Sequence, residues 1–438
     1  MPESIANMKI NFLIAAAMGL LLLPTRLTAG EDGFVRAVGT HFYTASSESE
    51  PYYFVGTNLW YAPILASTGE GGDRERLARE LDSLQSMGIR NLRILVGADR
   101  GSSNANTVKP YLQPEPGFLN DTLLDGLDYL LREMETRDMK GVFYLNNSWD
   151  WSGGFGFYLR AVGHEDSPNS NGDGYDRYCA YAAQFSAERE AQELFFDYVK
   201  KIVSRTNRYT GKAYRESPAI MAWQVCNEPR PFAADQKDNF EAWVLETARI
   251  IKEIDPNHMV SVGSEGLYGC HYDWGLYEAI HESENIDYLT IHLWPVNWGW
   301  GKRDSLLTSL PQIYREAERY IEMHAQLAEK LGKPMVIEEF GYPRDETCYE
   351  AGSPTVARDR LYSFVLEQLH RSYERSGALA GVNFWGWGGV GRADSTVWKE
   401  GDDFICDPPH EPQGWYSVFS TDTSTLELLR GAAQGLSR

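Results

Sequence analysis

Residues 218–229 read PAIMAWQVCNEP, an apolar run suited to a buried strand that ends in Asn227, Glu228 and Pro229. A carboxylate at the tip of such a strand is costly unless it is paired or put to use. Seven other runs share this form: YYFVGTN (52–58), NLRILVG (91–97), KGVFYLNN (140–147), HMVSVGS (258–264), IDYLTIHLW (286–294), KPMVIEEFG (333–341) and LAGVNFWGWGG (379–389). Between them, stretches such as 73–88 repeat apolar residues at three- and four-residue spacing, and that one stops at Gly88. Eight strands alternating with helices predict a parallel sheet with helical crossovers. Eight such units close into a (β/α)8 TIM barrel, read here as a single domain over residues 30–438. FVRAVGTHFYT (34–44) reads as a hairpin closing the bottom of the barrel. Two long loops, 153–182 and 388–415, follow strand ends, where such barrels place their sites.

The chain has 438 residues and a formal charge of -21, which argues against nucleic acid or an anionic membrane surface as partner. A neutral polymer is indifferent to that charge. Many of the 13 Trp and 25 Tyr sit beside Gly, Asn or Pro, where flat rings serve as stacking surfaces as readily as core. At the start, Lys9 precedes an apolar stretch from Ile10 to Leu23 and small residues around Ala29, the pattern of a signal peptide over residues 1–29. The first cysteine is Cys179, so no lipid-attachment cysteine follows that signal. The expectation is an exported monomer, secreted or periplasmic. Five cysteines in an oxidising compartment leave at least one free thiol or one unseen partner.

Strand ends collect polar and aromatic residues: Trp60 after the first, Arg93 in the second, Asn146 and Trp149 at the third, Asn227 and Glu228 at the fourth. His292 and Trp294 close the sixth, Glu338 and Glu339 the seventh, and Trp385 the eighth. Taken alone, Glu228 could equally open a helix, with Asn227 as cap and Pro229 in its first turn. The Glu338–Glu339 pair could be a solvated strand end. Joined through a barrel, the acids of strands four and seven face one cleft, the minimal apparatus for glycoside cleavage. Other chemistries lack their residues: there is no H-E-x-x-H, VGSEG (262–266) misses the nucleophile-elbow pattern, and GWGGVGR (386–392) lacks the end of a phosphate loop. No metal and no organic cofactor is expected.

AWQVCNEPR, IHLW, VIEEFG and FWGWGG, in this order, together with GTNLWY and NLRILV, resemble glycoside hydrolase family 5, and more narrowly its endo-β-1,4-mannanases. The resemblance implies that Glu228 is the acid/base and Glu339, rather than Glu338, the nucleophile. It implies that Arg93 orients the nucleophile, that Asn227 holds the 2-hydroxyl of the reacting sugar, and that His292 lies near the acid/base. Trp385 becomes the platform under the reacting ring, and Arg230 a contact on the leaving-group side. Trp294 stands where the family usually carries Tyr. After strand three, Trp149 is taken as the stacking residue, with Trp151 as the other possibility. Trp60 and Asn146 complete the expected sugar-binding set. The implied substrate is mannan, glucomannan, galactomannan or their oligosaccharides, cut internally by an endo-acting enzyme. The alternatives are a β-glucanase of the same family, or an exo-acting enzyme in which loop 153–182 or 388–415 walls off one end of the cleft.

Overall fold

A computed structural model describes residues 33–44, 50–103 and 106–436; the proposed signal peptide lies outside the described residues. Eight parallel strands form the barrel: β1 (Phe54–Asn58), β2 (Asn91–Leu95), β3 (Lys140–Tyr144), β4 (Ile220–Gln224), β5 (Met259–Ser261), β6 (Leu289–Leu293), β7 (Met335–Phe340) and β8 (Leu379–Phe384). Each strand is followed by a helix on the outside: α1 (Arg74–Ser86), α2 (Asp121–Thr136), α3 (Arg189–Val203), α4 (Lys237–Ile254), α5 (Trp274–Glu282), α6 (Leu306–Leu331), α7 (Val356–Arg375) and α8 (Thr423–Gly435). The ladder runs β5-β4-β3-β2-β1-β8-β7-β6. The seam between β5 and β6 is bridged by the Asp287 N–H donating to the Val260 carbonyl at 2.8 Å and by the Thr290 hydroxyl donating to the Ser264 carbonyl at 2.9 Å.

Every barrel strand is buried along its whole length. A parallel sheet needs this, because helices cover one face and barrel side chains fill the other. The helices start where the sequence supplies side-chain caps. Asp73 accepts from the Arg76 N–H at 2.8 Å to open α1, and Asn120 accepts from the Thr122 N–H at 3.0 Å to open α2. The expected hairpin is present, Val35–Val38 pairing antiparallel with His41–Thr44. Its Phe42 packs edge-on against Tyr288, just before β6, and tilts against Phe54 at the start of β1. The hairpin therefore caps the bottom, opposite the strand ends that carry the acids.

Two expectations are corrected. Residues 153–182 are not one irregular loop: they hold the helices Gly154–Ala161 and Tyr175–Ala182. The first of these, GFGFYLRA, is buried over its first six residues, so it has no polar face to produce a helical period. The suggested helix start at Asn227 is absent. The chain leaves β4 in an extended path and Glu228 sits at φ 47°, left-handed backbone that a non-glycine residue adopts only under surrounding constraint. All five cysteines are unpaired. Among the described residues no helix is long and apolar enough to cross a membrane.

Candidate active site

The constraint on Glu228 is a run of backbone bonds past the end of β4. The N–H groups of Val225, Cys226 and Glu228 donate to the carbonyls of Ser261, Val262 and Gly263, while Asn227 donates to Asn146 at 2.8 Å. The Ser148 hydroxyl adds a 2.6 Å bond to the Glu228 carbonyl. This stitching fixes the carboxyl at the mouth of the barrel, where Glu228 remains 9% exposed. One of its oxygens accepts from the Trp149 indole N–H at 2.6 Å. The other is 2.8 Å from His292 Nδ1.

Glu339, on β7, faces it. An oxygen of Glu228, an oxygen of Glu339 and a ring nitrogen of His292 lie within 4.8 Å of one another. Arg93 Nη1 contacts Glu339 Oε1 directly, and the Trp294 indole N–H donates to Glu339 Oε2 at 3.2 Å. Trp294 therefore reaches the carboxylate that a tyrosine hydroxyl would otherwise bond. His292 Nδ1 is also 3.3 Å from Glu339 Oε2. Burial depresses the His292 pKa well below its usual value, and Arg93 adds to the effect. A neutral ring with Nδ1–H facing the carboxylates fits this network.

Burial pushes the pKa of both carboxyls up, and Glu228 raises that of Glu339 further. Two like charges this close cannot both ionise freely, so the pair titrates as a unit. Arg230 opposes the rise at Glu228 and Arg93 that at Glu339, and Arg93 alone makes direct contact, with Glu339, which favours the negative charge there and the remaining proton on Glu228. That division suits a nucleophile and an acid.

Arg93 is itself clamped. Its Nη1 donates to Asn58 Oδ1 at 3.1 Å, Nη2 to Asn227 Oδ1 at 2.7 Å, and Nε and Nη2 to Gln224 Oε1 at 2.9 and 2.7 Å. Gln224 can present its oxygen only because its amide nitrogen is spoken for. Nε2 donates to Glu338 Oε2 at 2.6 Å and to Ser261 Oγ at 3.0 Å. Glu338 is fully buried, accepts from Tyr288 at 3.3 Å, and lies 3.6 Å from Arg93 Nε. It is no solvated strand end.

The carboxylates open into a cavity of about 760 Å³. Of the residues expected at the site, Trp149, Asn227, Glu228, Arg230, Trp294, Glu339 and Trp385 line it. Arg93 and His292 lie just beneath, in contact with the carboxylates. Trp60 and Asn146 do not reach the cavity wall. The Trp60 indole is buried against Trp151 and donates to the Cys406 carbonyl at 2.6 Å; Asn146 is buried and holds the backbone of Asn147 and Asn227. Both are braces rather than sugar contacts. Trp149 and Trp151 both line the cavity, but Trp149 alone bonds the acid.

Sequence reading missed several lining residues. Glu265 pairs with Arg230 through two bonds, 2.5 and 2.7 Å, and Tyr175 accepts a third from the same arginine at 2.7 Å. Its signal was available: Glu265 closes the fifth apolar run as Glu228 closes the fourth. Tyr268, Tyr272 and Trp298 extend the lining on the β5 and β6 side. The lining also includes Trp151, Ser170, Asn171, His410, Glu411 and Trp415. This second group belongs to two distant loops that meet. Asn171 Nδ2 donates to the His410 carbonyl at 3.0 Å, the His410 ring stacks parallel to Trp151 at 6.1 Å, and Asn106 Nδ2 donates to the carbonyls of Trp398 and Pro409. These two joined loops form one part of the cavity wall.

A family model described as GH family 5 beta-mannosidase-like matches residues 32–438. The chain is 31% identical over 373 residues to mannan endo-1,4-beta-mannosidase 1 of Oryza sativa subsp. japonica, covering 81% of this chain and 78% of that protein. Among solved structures, the glycoside hydrolase family 5 mannosidase from Rhizomucor miehei superposes with a TM-score of 0.84 at 33% identity, over 93% of this chain and 98% of that one. A point mutant of that enzyme, solved in complex with mannosyl-fructose, gives the same TM-score at 34% identity and the same coverage.

Proposed function

From the premise that this chain belongs to the glycoside hydrolase family 5 β-mannosidase-like family, we propose that it hydrolyses β-1,4-linked mannosides, removing short units from a chain end with retention at the anomeric carbon. The observation that carries the reading is the Glu228–Glu339 pair within 4.8 Å in a cavity whose wall includes two distant loops tied through Asn171 and His410. Retaining glycosidases place their two carboxyl groups about 5–5.5 Å apart, whereas inverting ones leave roughly 6.5–9.5 Å for a water.

In this mechanism the sugar ring sits over Trp385, with Asn227 at its 2-hydroxyl. Glu339, kept ionised by Arg93 and steadied by Trp294, attacks the anomeric carbon. Glu228 gives its proton to the departing glycosidic oxygen. With that proton gone, Glu228 is a base held by Trp149 and His292. It takes a proton from the water that then displaces Glu339 from the glycosyl-enzyme. Every atom moved belongs to the sugar, the water or the two carboxyls.

Internal cleavage of mannan is the second reading, favoured by the resemblance to the rice protein named mannan endo-1,4-beta-mannosidase 1. A time course on mannohexaose separates the two. A single small product from the outset, released first as the β-anomer, supports the chain-end retaining reading. Mixed oligosaccharides at the earliest times favour internal cleavage, and an α-anomer sinks retention. Residues 1–29 as an export signal complete the proposal, with a monomer outside the cytoplasm; a mature protein retaining residue 1 would overturn the export.

A further inference from the structure

Arg230 poses a problem for the acid beside it. It follows Glu228 by two positions and lines the same cavity. Its guanidinium lies 5.0 Å from the centre of the Trp149 ring, whose indole N–H bonds the Glu228 carboxyl. A cation so placed favours the ionised form of a carboxyl. Burial lifts the Glu228 pKa, and Arg230 is the foremost group opposing that rise. An acid that must deliver a proton to a departing oxygen is helped by the burial and hindered by the arginine.

Glu265 meets the cation. It is buried just beyond β5, and its carbonyl accepts from the His292 N–H at 3.3 Å and from the Tyr320 hydroxyl at 2.8 Å. Its two carboxylate oxygens accept separately from Arg230 Nε and Nη2, the paired arrangement of a charged carboxylate with a charged guanidinium. The third arm, Nη1, donates to Tyr175, whose ring lies 5.8 Å from that of Trp149. Burial alone would discharge Arg230; Glu265 outweighs it and keeps the guanidinium charged and held. The other titratable or charged groups around Glu228 are Glu339 on β7, Arg93 on β2, His292 on β6, Cys226 and Glu411. Of these carboxylates and Glu265, it is Glu265 that pairs with Arg230.

We propose that Glu265 is a positioning residue for the acid/base: it holds Arg230 against Trp149 and Tyr175 and cancels its charge, so that Glu228 keeps its proton until the glycosidic oxygen departs. The inference rests on the mannoside reading above, in which Glu228 is the acid. Glu265 acts on the reaction through Arg230, without touching the atoms that react.

The test is the pH profile of kcat/KM for mannohexaose, whose alkaline limb follows loss of the acid's proton in the free enzyme. Glu265→Gln keeps the size of the side chain and removes its charge. With Arg230 uncompensated the Glu228 pKa falls, and the alkaline limb should move down by about one pH unit. Combining Glu265→Gln with Arg230→Gln removes both charges and should return the limb to its native position. A role in packing alone lowers kcat/KM at every pH and leaves the limb of Glu265→Gln unmoved, which overturns the proposal. A limb that stays down in the double variant overturns it too, because Arg230 is then not the agent. Should Glu265→Gln fail to fold, Arg230→Gln carries the test. The Glu265 charge then acts on Glu228 without its counter-ion, so the limb should move up, and an unmoved or falling limb overturns the proposal. In each case the mannoside reading survives; it falls only if the native enzyme leaves mannohexaose intact, and the proposal falls with it.

Discussion

At the floor of the cleft, Glu228, Glu339, Arg93 and His292 stand on or directly beyond barrel strands, and each is held by several bonds to neighbouring strands. At the wall, Asn171, His410 and Glu411 stand on loops whose tied residues are 239 positions apart, joined by one side-chain hydrogen bond and one ring stack. The floor has the precision chemistry needs, because strand ends cannot move without disturbing the barrel. On the chain-end reading the wall decides what can enter, and loops can alter that without touching the reaction. The two regions should therefore answer mutation differently, the floor in rate and the wall in product.

The largest effects belong to the floor. Glu339→Ala should lower kcat by on the order of 10⁴-fold or more, since on the retaining reading it removes the covalent step. Glu228→Gln should cost about 10²–10⁴-fold, the range for one general acid. If either variant keeps more than a tenth of native turnover on mannobiose, the floor is not the catalytic machinery and the comparison collapses.

Glu338→Gln asks how far the floor extends. Glu338 touches no substrate; it fixes the Gln224 amide so that the oxygen faces Arg93. With a neutral amide there, Gln224 can turn its nitrogen toward Arg93, which would then loosen from Glu339. We expect kcat/KM to fall by about 10- to 100-fold, or roughly 1.4–2.7 kcal/mol. The direction of the acid limb in the pH profile decides the cause. Losing Arg93 raises the Glu339 pKa, so the limb should move up. If Glu338 acts only as a nearby negative charge, its removal lowers the Glu339 pKa and the limb moves down.

The same contrast explains what the sequence made legible. Eight apolar runs with polar tips carry the barrel and its floor, because strand burial and strand-end chemistry are both local patterns. Glu228 and Glu339 stood out as acids where burial should have excluded them. Trp60 and Asn146 also occupy strand ends, yet they point into packing, and nothing local distinguishes a strand-end side chain facing the cleft from one bracing it. Of the wall, only the two long loops 153–182 and 388–415 were legible, not the residues that join them. Asn171 and His410 are ordinary loop residues until the fold joins them. The helix Gly154–Ala161 was hidden because a buried helix with two glycines has no amphipathic period.

Opening the wall should change products more than rate. Asn171→Ala combined with His410→Ala removes the tie and the stack on Trp151, interactions worth about 1 kcal/mol each. Turnover of mannobiose should stay within roughly tenfold of native, while mannohexaose should begin to yield mixed products at the earliest times. Unaltered products would mean that the Asn171–His410 contact is not what closes the cleft.

The smallest effect is read in stability. Glu411 lines the wall, and burial, helped by Asp407 and Glu228, pushes its pKa from the ordinary 4.5 up to about 8. Arg303 opposes this without cancelling it. Between those two values the folded protein holds a proton that the unfolded chain has released. Its stabilising contribution is thus complete below about 4.5 and is lost as pH rises toward about 8. Glu411→Gln has no such proton to lose. The difference in Tm, variant minus native, should grow between about pH 5 and pH 8 by on the order of 2 °C or more. Because the wall, not the floor, carries this residue, the chemical step should keep its acid limb. A Tm difference independent of pH would mean that Glu411 is solvated, and that the wall over this end of the cleft stands open.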